Sequence, residues 1–166
     1  TTFLKYPDKN RVNIHVWYDG NRQEMRKLAE KLNVNYVPLA DNEHAKAGNI
    51  NNALKQTCAP FILILDADMI PHSHMLMELV PYFYLPKLKK TKEGKWVERE
   101  AHEMTDEQIG FIQSPQSFYN PDLFQFNLNA ENRVPNEQDF FFKEANVGHN
   151  ITNTPIFAGS NAMFFR

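Results

Sequence analysis

Two aspartates separated by one residue, Asp66 and Asp68, are the part of this sequence best suited to metal chemistry. They directly follow the apolar run FILIL, residues 61–65, which predicts a buried β-strand. Alternation along an extended chain would place both carboxylates on one side. Two hard carboxylate ligands suit Mg²⁺ or Mn²⁺, which would bridge them to a diphosphate. Acidic pairs at this spacing are also common by chance, so a solvated acidic turn is the competing interpretation.

A lysine near the start of the segment HAKAGNINNAL, residues 44–54, is the second candidate. Lys46 is predicted to lie in a polar loop, with a helix beginning at Gly48. Helix N-termini favour anions, and a lysine adds positive charge nearby. The arrangement suits a diphosphate, although an ordinary helix start beside an exposed lysine is the commoner interpretation of such a segment.

Three further segments carry polar or small residues next to predicted strands. Asp19, in Tyr-Asp-Gly at the end of the first predicted strand, could accept hydrogen bonds from a base or a ribose, although simple turn aspartates are common. Residues 113–122 combine amides with aromatic rings, which suits sugar recognition or an aromatic loop anchored in the core. Residues 157–162 (FAGSNA) are small enough to let a ligand approach the backbone, or they form a tight turn before a strand.

The elements that must position these residues alternate along the first half of the chain. Hydrophobic patterns predict strands at 12–18, 34–39 and 61–65, and helices at 23–32 and 48–56. This alternation predicts an α/β fold with a mostly parallel sheet flanked by helices. Ligands of such sheets lie beyond the carboxyl ends of the strands, which is where Asp19 and Asp66 stand in the sequence.

The second half of the chain is predicted to be less regular. A helix at 74–83 is followed by a polar, charged stretch, residues 87–104, which we interpret as an inserted hairpin or loop. The remaining predicted elements are a strand at 110–113, a helix at 136–148 and a strand within 156–165. Residues 1–166 are assigned to a single domain.

Composition narrows the class of protein. Apolar residues make up 42% of the 166 residues, which is enough for a sizeable core, and 23% are charged. The net charge of -2 and the lack of a basic stripe argue against nucleic acid as a partner. One cysteine, Cys58, excludes an internal disulfide framework and favours a reducing, cytosolic setting.

Taken together and in this order, the motifs resemble the cellulose synthases, a processive group of family 2 glycosyltransferases. HAKAGNINNAL is highly specific to that group, and it is followed by ILDADMIP, FIQSPQSFYNPDLFQ and FAGSNAMFFR. The resemblance covers nearly the whole chain. It implies a glycosyltransferase-A fold, which is a Rossmann-like core for a nucleotide sugar. It also implies inverting transfer of a sugar, usually from UDP-glucose, to a growing β-linked glycan.

The resemblance also implies roles for individual residues. Asp19 would lie near the uridine of the donor, and Lys46 near its diphosphate. Asp66 and Asp68 would hold the nucleotide and one Mg²⁺ or Mn²⁺ ion. The acceptor glycan would lie near a second group of residues, namely Gln113, Gln116, Phe118, Gly159 and Ser160.

The family pattern includes segments that this sequence does not contain. A first strand is expected before residue 6. The segment with the general base is expected after Arg166, and a Gln-x-x-Arg-Trp segment and transmembrane helices are also missing. We therefore expect a core truncated at both ends, with no catalytic base of its own and no polymer synthesis in isolation. The parent protein is expected at the cytoplasmic face of the cell membrane, held there through regions outside this chain.

Departures from the family pattern leave other functions open. Tyr18 replaces an aspartate, Met69 and Gln116 stand where relatives often have histidine, and Ala158 replaces a frequent cysteine. One alternative is a non-processive family 2 glycosyltransferase acting on a lipid or small acceptor. The others are a catalytically inactive nucleotide-sugar-binding module and a sugar nucleotidylyltransferase. The last of these should carry a glycine-rich phosphate loop near its first strand, and none is visible in this sequence.

Overall fold

A computed structural model describes this protein at residues 5–18, 20, 22–38, 45–131 and 133–166. The chain divides into two compact units. The first comprises Thr1–Pro60 and Pro71–Met77, and the second comprises Phe61–Ile70 and Glu78–Arg166. Helices and strands occur in both units, so the predicted α/β class is confirmed.

The first unit contains a parallel two-stranded sheet. After a short 3₁₀ helix (Lys9–Arg11), β1 (His15–Tyr18) pairs in parallel with β2 (Asn35–Pro38). The helix α1 (Gln23–Lys31) connects the two strands, as a parallel pair requires, and buries Ala29. The strand–helix–strand order predicted for this segment is confirmed.

The helix α2 (Ala45–Gln56) begins earlier than the sequence pattern predicts. Its first turn contains the segment Ala-Lys-Ala, and both residue types are strong helix formers, so the helix extends to the N-terminal side of Gly48. Lys46 therefore lies in the first turn of a helix and not in a loop, which corrects its predicted position. Ala53 is fully buried.

The second unit contains a three-stranded antiparallel sheet. β7 (Ala162–Phe165) lies in the centre, between β3 (Phe61–Ile64) and β6 (Phe111–Gln113). Ala162 and Met163 of the central strand are buried. Among the described residues β1 and β2 form the one parallel pair, so the expectation of a mostly parallel sheet was wrong in strand direction.

The reason for this difference is that the chain changes its pattern after β3. Strand–helix alternation, which favours parallel pairing, holds only for the first half of the sequence. The central strand, β7, enters from the far end of the chain and runs opposite to both neighbours. β3 is an edge strand of this sheet, so its residues are half-buried except for the buried Ile64, whereas burial on both faces had been expected.

Aromatic rings pack along this antiparallel sheet. The ring of Phe61 lies 4.9 Å from that of Phe83 and 5.7 Å from that of Phe165, measured between ring centres. The rings of Phe111 and Phe164, which stand opposite each other on β6 and β7, are stacked at 5.5 Å. Ring pairs at such distances stabilise neighbouring strands beyond the area that they bury.

The connection between β3 and β6 contains two helices and a hairpin. The helix α3 (Met75–Leu79) continues into a 3₁₀ helix (Val80–Lys87), because Pro81 and Pro86 lack the backbone donors that an α-helix needs. The single predicted helix at 74–83 therefore has two parts. The predicted hairpin or loop at 87–104 is a hairpin, and it consists of β4 (Leu88–Lys90), β5 (Trp96–Glu98) and a 3₁₀ turn (Ala101–Glu103).

Helical segments connect β6 to β7. The sequence pattern did not predict α4 (Leu123–Asn127). The helix predicted at 136–148 consists of α5 (Glu137–Phe140), a π-helical segment (Phe141–Ala145) and α6 (Asn146–Ile151). Across the described ranges of the chain, no helix has the length and apolar content needed to cross a bilayer.

Candidate functional site

The aspartate pair lies in a turn that follows β3. The N–H of Met69 donates to the carbonyl oxygen of Asp66 at 3.1 Å, which closes a four-residue turn. Strand alternation had been expected to align both carboxylates, but the strand ends at Ile64, so this argument does not extend to Asp68. Asp66 is half-buried and Asp68 is exposed. The two aspartates therefore lie in a turn, and only the first of them, Asp66, is partly buried.

A buried serine fixes the start of the aspartate turn. The N–H of Asp66 donates to Oγ of Ser160 at 2.9 Å, across 94 positions of sequence. Ser160 is only 2% exposed. Breaking such a bond would leave a poorly solvated backbone N–H without its acceptor, so the bond restrains the chain where it leaves β3.

The four residues before β7, Ala158 to Asn161, form what we call the glycine-serine turn. Gly159 has φ +86° and Asn161 has φ +54°, both in the left-handed region. A Cβ on Gly159 would meet no atom within 4 Å, so the backbone conformation and not crowding favours glycine there. Asn161 donates from Nδ2 to Oε1 of Gln116 at 3.1 Å and lies 3.7 Å from Sδ of Met69.

Gln113, the last residue of β6, holds this turn through both ends of its amide. Its Oε1 accepts from the N–H of Ala158 at 3.0 Å. Its Nε2 donates to the carbonyl oxygens of Ser160 at 2.9 Å and Asn161 at 3.3 Å. Ser114 adds a backbone and a hydroxyl donor to the same Asn161 oxygen, at 2.9 and 2.7 Å. The amide of Gln113 is therefore engaged with backbone, and its predicted contact with a glycan stays a prediction.

These contacts join the ends of three strands into one group. We call the strand-end cluster the set Asp66, Gln113, Gln116, Ser160 and Asn161. Four of its members were predicted as site residues, and the sequence interpretation missed the fifth, Asn161. Asparagine is enriched at left-handed positions, so its place directly after Gly-Ser and before an apolar strand was the available signal.

Phe118 belongs to the same unit as the strand-end cluster. It lines an open cavity of about 270 Å³ together with Tyr119, Asn136 and Asp139, among others. Phe118 and Tyr119 are 57% and 93% exposed. Exposed rings beside amide and carboxylate groups can contact both the apolar face and the hydroxyls of a sugar. Phe118 is not among the residues that hydrogen bonds join in the strand-end cluster.

Lys46, a further predicted donor residue, belongs to the first unit. Lys46 is exposed in the first turn of α2. Asp19 lies outside the described residues, so its role stays a prediction. A Cβ at the flanking Gly20 would come within 2.5 Å of the phenol ring of Tyr18, so a larger residue there would require this ring to move.

The chemistry of the aspartate turn fits a divalent cation accompanied by a phosphate ligand. Within the described ranges, no group of three or more His, Cys, Asp or Glu residues could hold a metal ion. Mg²⁺, however, is usually bound by one or two carboxylates together with substrate phosphates and water. Asp66 and Asp68 provide hard oxygen ligands of that kind, with Asp68 open to solvent.

Comparison with known proteins relates the chain to polysaccharide-forming enzymes. Glycosyl transferase family 2 matches residues 2–88, just over half of the chain. The cellulose synthase catalytic subunit (UDP-forming) of Pseudomonas fluorescens (strain SBW25) is 32% identical over 158 residues, which is 95% of this chain and 19% of that protein. The cellulose synthase 1 catalytic subunit (UDP-forming) of Komagataeibacter xylinus is 34% identical over 160 residues, at 96% and 18% coverage. The chain thus spans about a fifth of the length of these relatives.

Proposed function

We propose that this chain binds the UDP-sugar donor for synthesis of a β-linked, cellulose-like glycan. The chain belongs to glycosyl transferase family 2, and so to the enzymes with a glycosyltransferase-A type of α/β core. The relatives are named as UDP-forming cellulose synthases, which supports UDP as the leaving group. The observation that carries the proposal is the aspartate turn after β3, with the backbone of Asp66 bonded to buried Ser160.

Asp66 and Asp68 are proposed to bind Mg²⁺ or Mn²⁺ together with the donor diphosphate. The bound cation would supply positive charge that offsets the charge developing on departing UDP. The Ser160 hydroxyl restrains the Asp66 backbone before any ligand arrives, so less ordering is needed when the donor binds.

Residues proposed near the acceptor divide into two groups by their contacts. Gln113, Gly159 and Ser160 shape the backbone of the glycine-serine turn, so we assign them a positioning role. Gln116 and Phe118 are the side chains proposed to contact the growing glycan. Phe118 is well exposed, and ring surfaces with a few polar groups are typical of ligand sites.

Lys46 and Asp19 are proposed as further donor contacts. Lys46 would supply positive charge to the diphosphate from the first turn of α2, where anions are favoured. Asp19 would accept hydrogen bonds from the uridine. No residue of the chain is assigned as the general base of inverting transfer. The parent protein is proposed to act at the cytoplasmic face of the cell membrane.

Calorimetric titration of the chain with UDP, with and without Mn²⁺, tests the aspartate assignment. We expect UDP binding to require Mn²⁺ and to weaken about tenfold or more in Asp68→Ala, because a carboxylate ligand is lost. Asp106→Ala is the matched control, since it removes another exposed acid of the same unit.

Two results would contradict or redirect the proposal. UDP binding that is the same without Mn²⁺ and in Asp68→Ala would remove the proposed role of the aspartate turn. Mn²⁺-dependent binding with no sugar transfer by the parent protein would favour a catalytically inactive nucleotide-sugar-binding module.

A further inference from the structure

The hairpin of β4 and β5 carries a basic surface with an aromatic ring. Residues 87–97 contain five lysines and a single glutamate. Four of the lysines are exposed, and Trp96 is 57% exposed. We define the basic hairpin surface as Lys87, Lys90, Lys92, Lys95 and Trp96.

The register of the hairpin places Lys90 and Trp96 on one face. Lys90 stands directly opposite Trp96 in the antiparallel pair, and opposite residues project from the same face. The loop between the strands is closed by the N–H of Thr91, which donates to the carbonyl oxygen of Lys95 at 2.7 Å. Gly94 provides the left-handed residue of this loop, with φ +83°. The surface is therefore part of a hairpin with a closed loop.

Most of the positive charge on this hairpin is not neutralised within it. Lys89 donates to the Glu103 carboxylate at 2.7 Å and is half-buried. In the described part of the chain it is the one hairpin lysine that forms an ion pair. Lys87 instead lies 5.8 Å from the centre of the Tyr84 ring, whose side chain is itself exposed. The lysines of the basic hairpin surface can therefore interact with an external anionic partner.

We propose that the basic hairpin surface binds the anionic surface of a lipid bilayer. Each lysine close to anionic headgroups strengthens binding about fivefold at moderate salt. Tryptophan concentrates at the boundary between headgroups and hydrocarbon, where Trp96 would insert its ring. The attraction decays within about 10 Å at moderate salt, so it needs exposed lysines at the contact itself, as found here.

Nucleic acid is the competing polyanion, and the charge pattern disfavours it. Surfaces that bind nucleic acid follow the phosphates along an extended basic stripe. Here the run of closely spaced lysines ends with the hairpin, and the chain as a whole has a net charge of -2. Residues 98–107, which begin with the last residue of β5, contain five acidic residues, Glu98, Glu100, Glu103, Asp106 and Glu107. A flat headgroup layer can contact the basic hairpin surface alone, whereas a long polyanion would also be repelled by these acidic residues.

Co-sedimentation of the chain with vesicles tests the proposal. Vesicles of phosphatidylcholine mixed with phosphatidylserine are compared with vesicles of phosphatidylcholine alone. We expect binding to the mixed vesicles only. The triple variant Lys90→Gln, Lys92→Gln, Lys95→Gln should weaken that binding about a hundredfold, from the product of three lysine contributions. High salt should abolish it.

The matched control removes three exposed lysines elsewhere, with Lys27→Gln, Lys31→Gln and Lys55→Gln. It changes the net charge equally, so it should leave vesicle binding within a few-fold of the unaltered chain. Equal loss in both triple variants, or no preference for anionic vesicles, would overturn the proposal. Tighter binding to duplex DNA than to the mixed vesicles at the same salt would overturn it in favour of nucleic acid. None of these readouts depends on glycosyltransferase function, so the two proposals can fail separately.

Discussion

The strand-end cluster and the basic hairpin differ in how far along the sequence their contacts reach. In the cluster, Asp66 and Ser160 are bonded across 94 positions, and Gln113 and Ser160 across 47. In the hairpin, the ion pair of Lys89 and Glu103 spans 14 positions. Contacts between distant segments tie the backbone of the glycine-serine turn to two other strand ends. Local contacts suffice for a hairpin whose side chains face solvent.

The largest expected effect comes from removing the amide at the centre of the cluster. Gln113→Leu deprives the N–H of Ala158 and the carbonyl oxygens of Ser160 and Asn161 of their partner. We expect the free energy of unfolding to fall by about 3 kcal/mol, because partly buried backbone groups lose hydrogen bonds. Urea denaturation followed by circular dichroism measures it.

Gln108→Leu is the matched control for this substitution, because Gln108 is an exposed glutamine of the same unit. It should change the free energy of unfolding by less than about 0.5 kcal/mol. If the two variants were equally stable, the cluster contacts would contribute no more than a surface residue, and the distinction between the two regions would be lost.

Two glycines with nearly equal φ give the next prediction. Gly159 has φ +86° and Gly94 has φ +83°, and a Cβ would have room at either. Gly159→Ala should cost about 1–2 kcal/mol from left-handed backbone strain alone. Gly94→Ala should cost about half of that or less, because the hairpin loop can relax with few long-range bonds to break.

Chemical denaturation of both alanine variants under one set of conditions makes this comparison direct. Equal losses of stability would mean that the hairpin loop is held as firmly as the glycine-serine turn. A larger loss at Gly94 would reverse the proposed order of the two regions.

The sequence predicted local elements better than their assembly. The apolar spacing of α1 and the composition of β1, β2 and β3 gave elements close to those observed. Helix α4 was missed although its signal was present. Asp122 and Gln125 form a capping box in which each side chain bonds the backbone of the other residue.

Local sequence patterns could not predict the direction of the strands or the contacts of the strand-end cluster. The residues of β7 alone do not indicate that this strand runs antiparallel to β3 and β6. Strand direction depends on the path of the segments that connect the strands. The motifs singled out Gln113 as a residue near the sugar and Ser160 as part of a turn that supports the acceptor, and both roles stay predictions. Their hydrogen bonds to backbone could be found only once distant segments had been placed together.

The smallest expected effect belongs to the ion pair of the hairpin, and its pH dependence has a defined sign. The hydrogen bond from Lys89, helped by the N–H of Glu100, holds the pKa of Glu103 below its ordinary value of 4.5. A lowered pKa means that folding favours the carboxylate, so its contribution is complete above pH 4.5 and is lost as the pH falls through the lowered pKa. The urea midpoint of the unaltered chain should therefore exceed that of Glu103→Gln slightly at neutral pH, with the gap closing in acid.

Solvent and salt screen this pair, since both side chains are about one third exposed. Added salt should narrow the gap at neutral pH, and Glu107→Gln should show no comparable change. A gap that persisted unchanged into acid would trace the effect to packing of the side chain, and the hairpin would then resemble the strand-end cluster more than its exposure suggests.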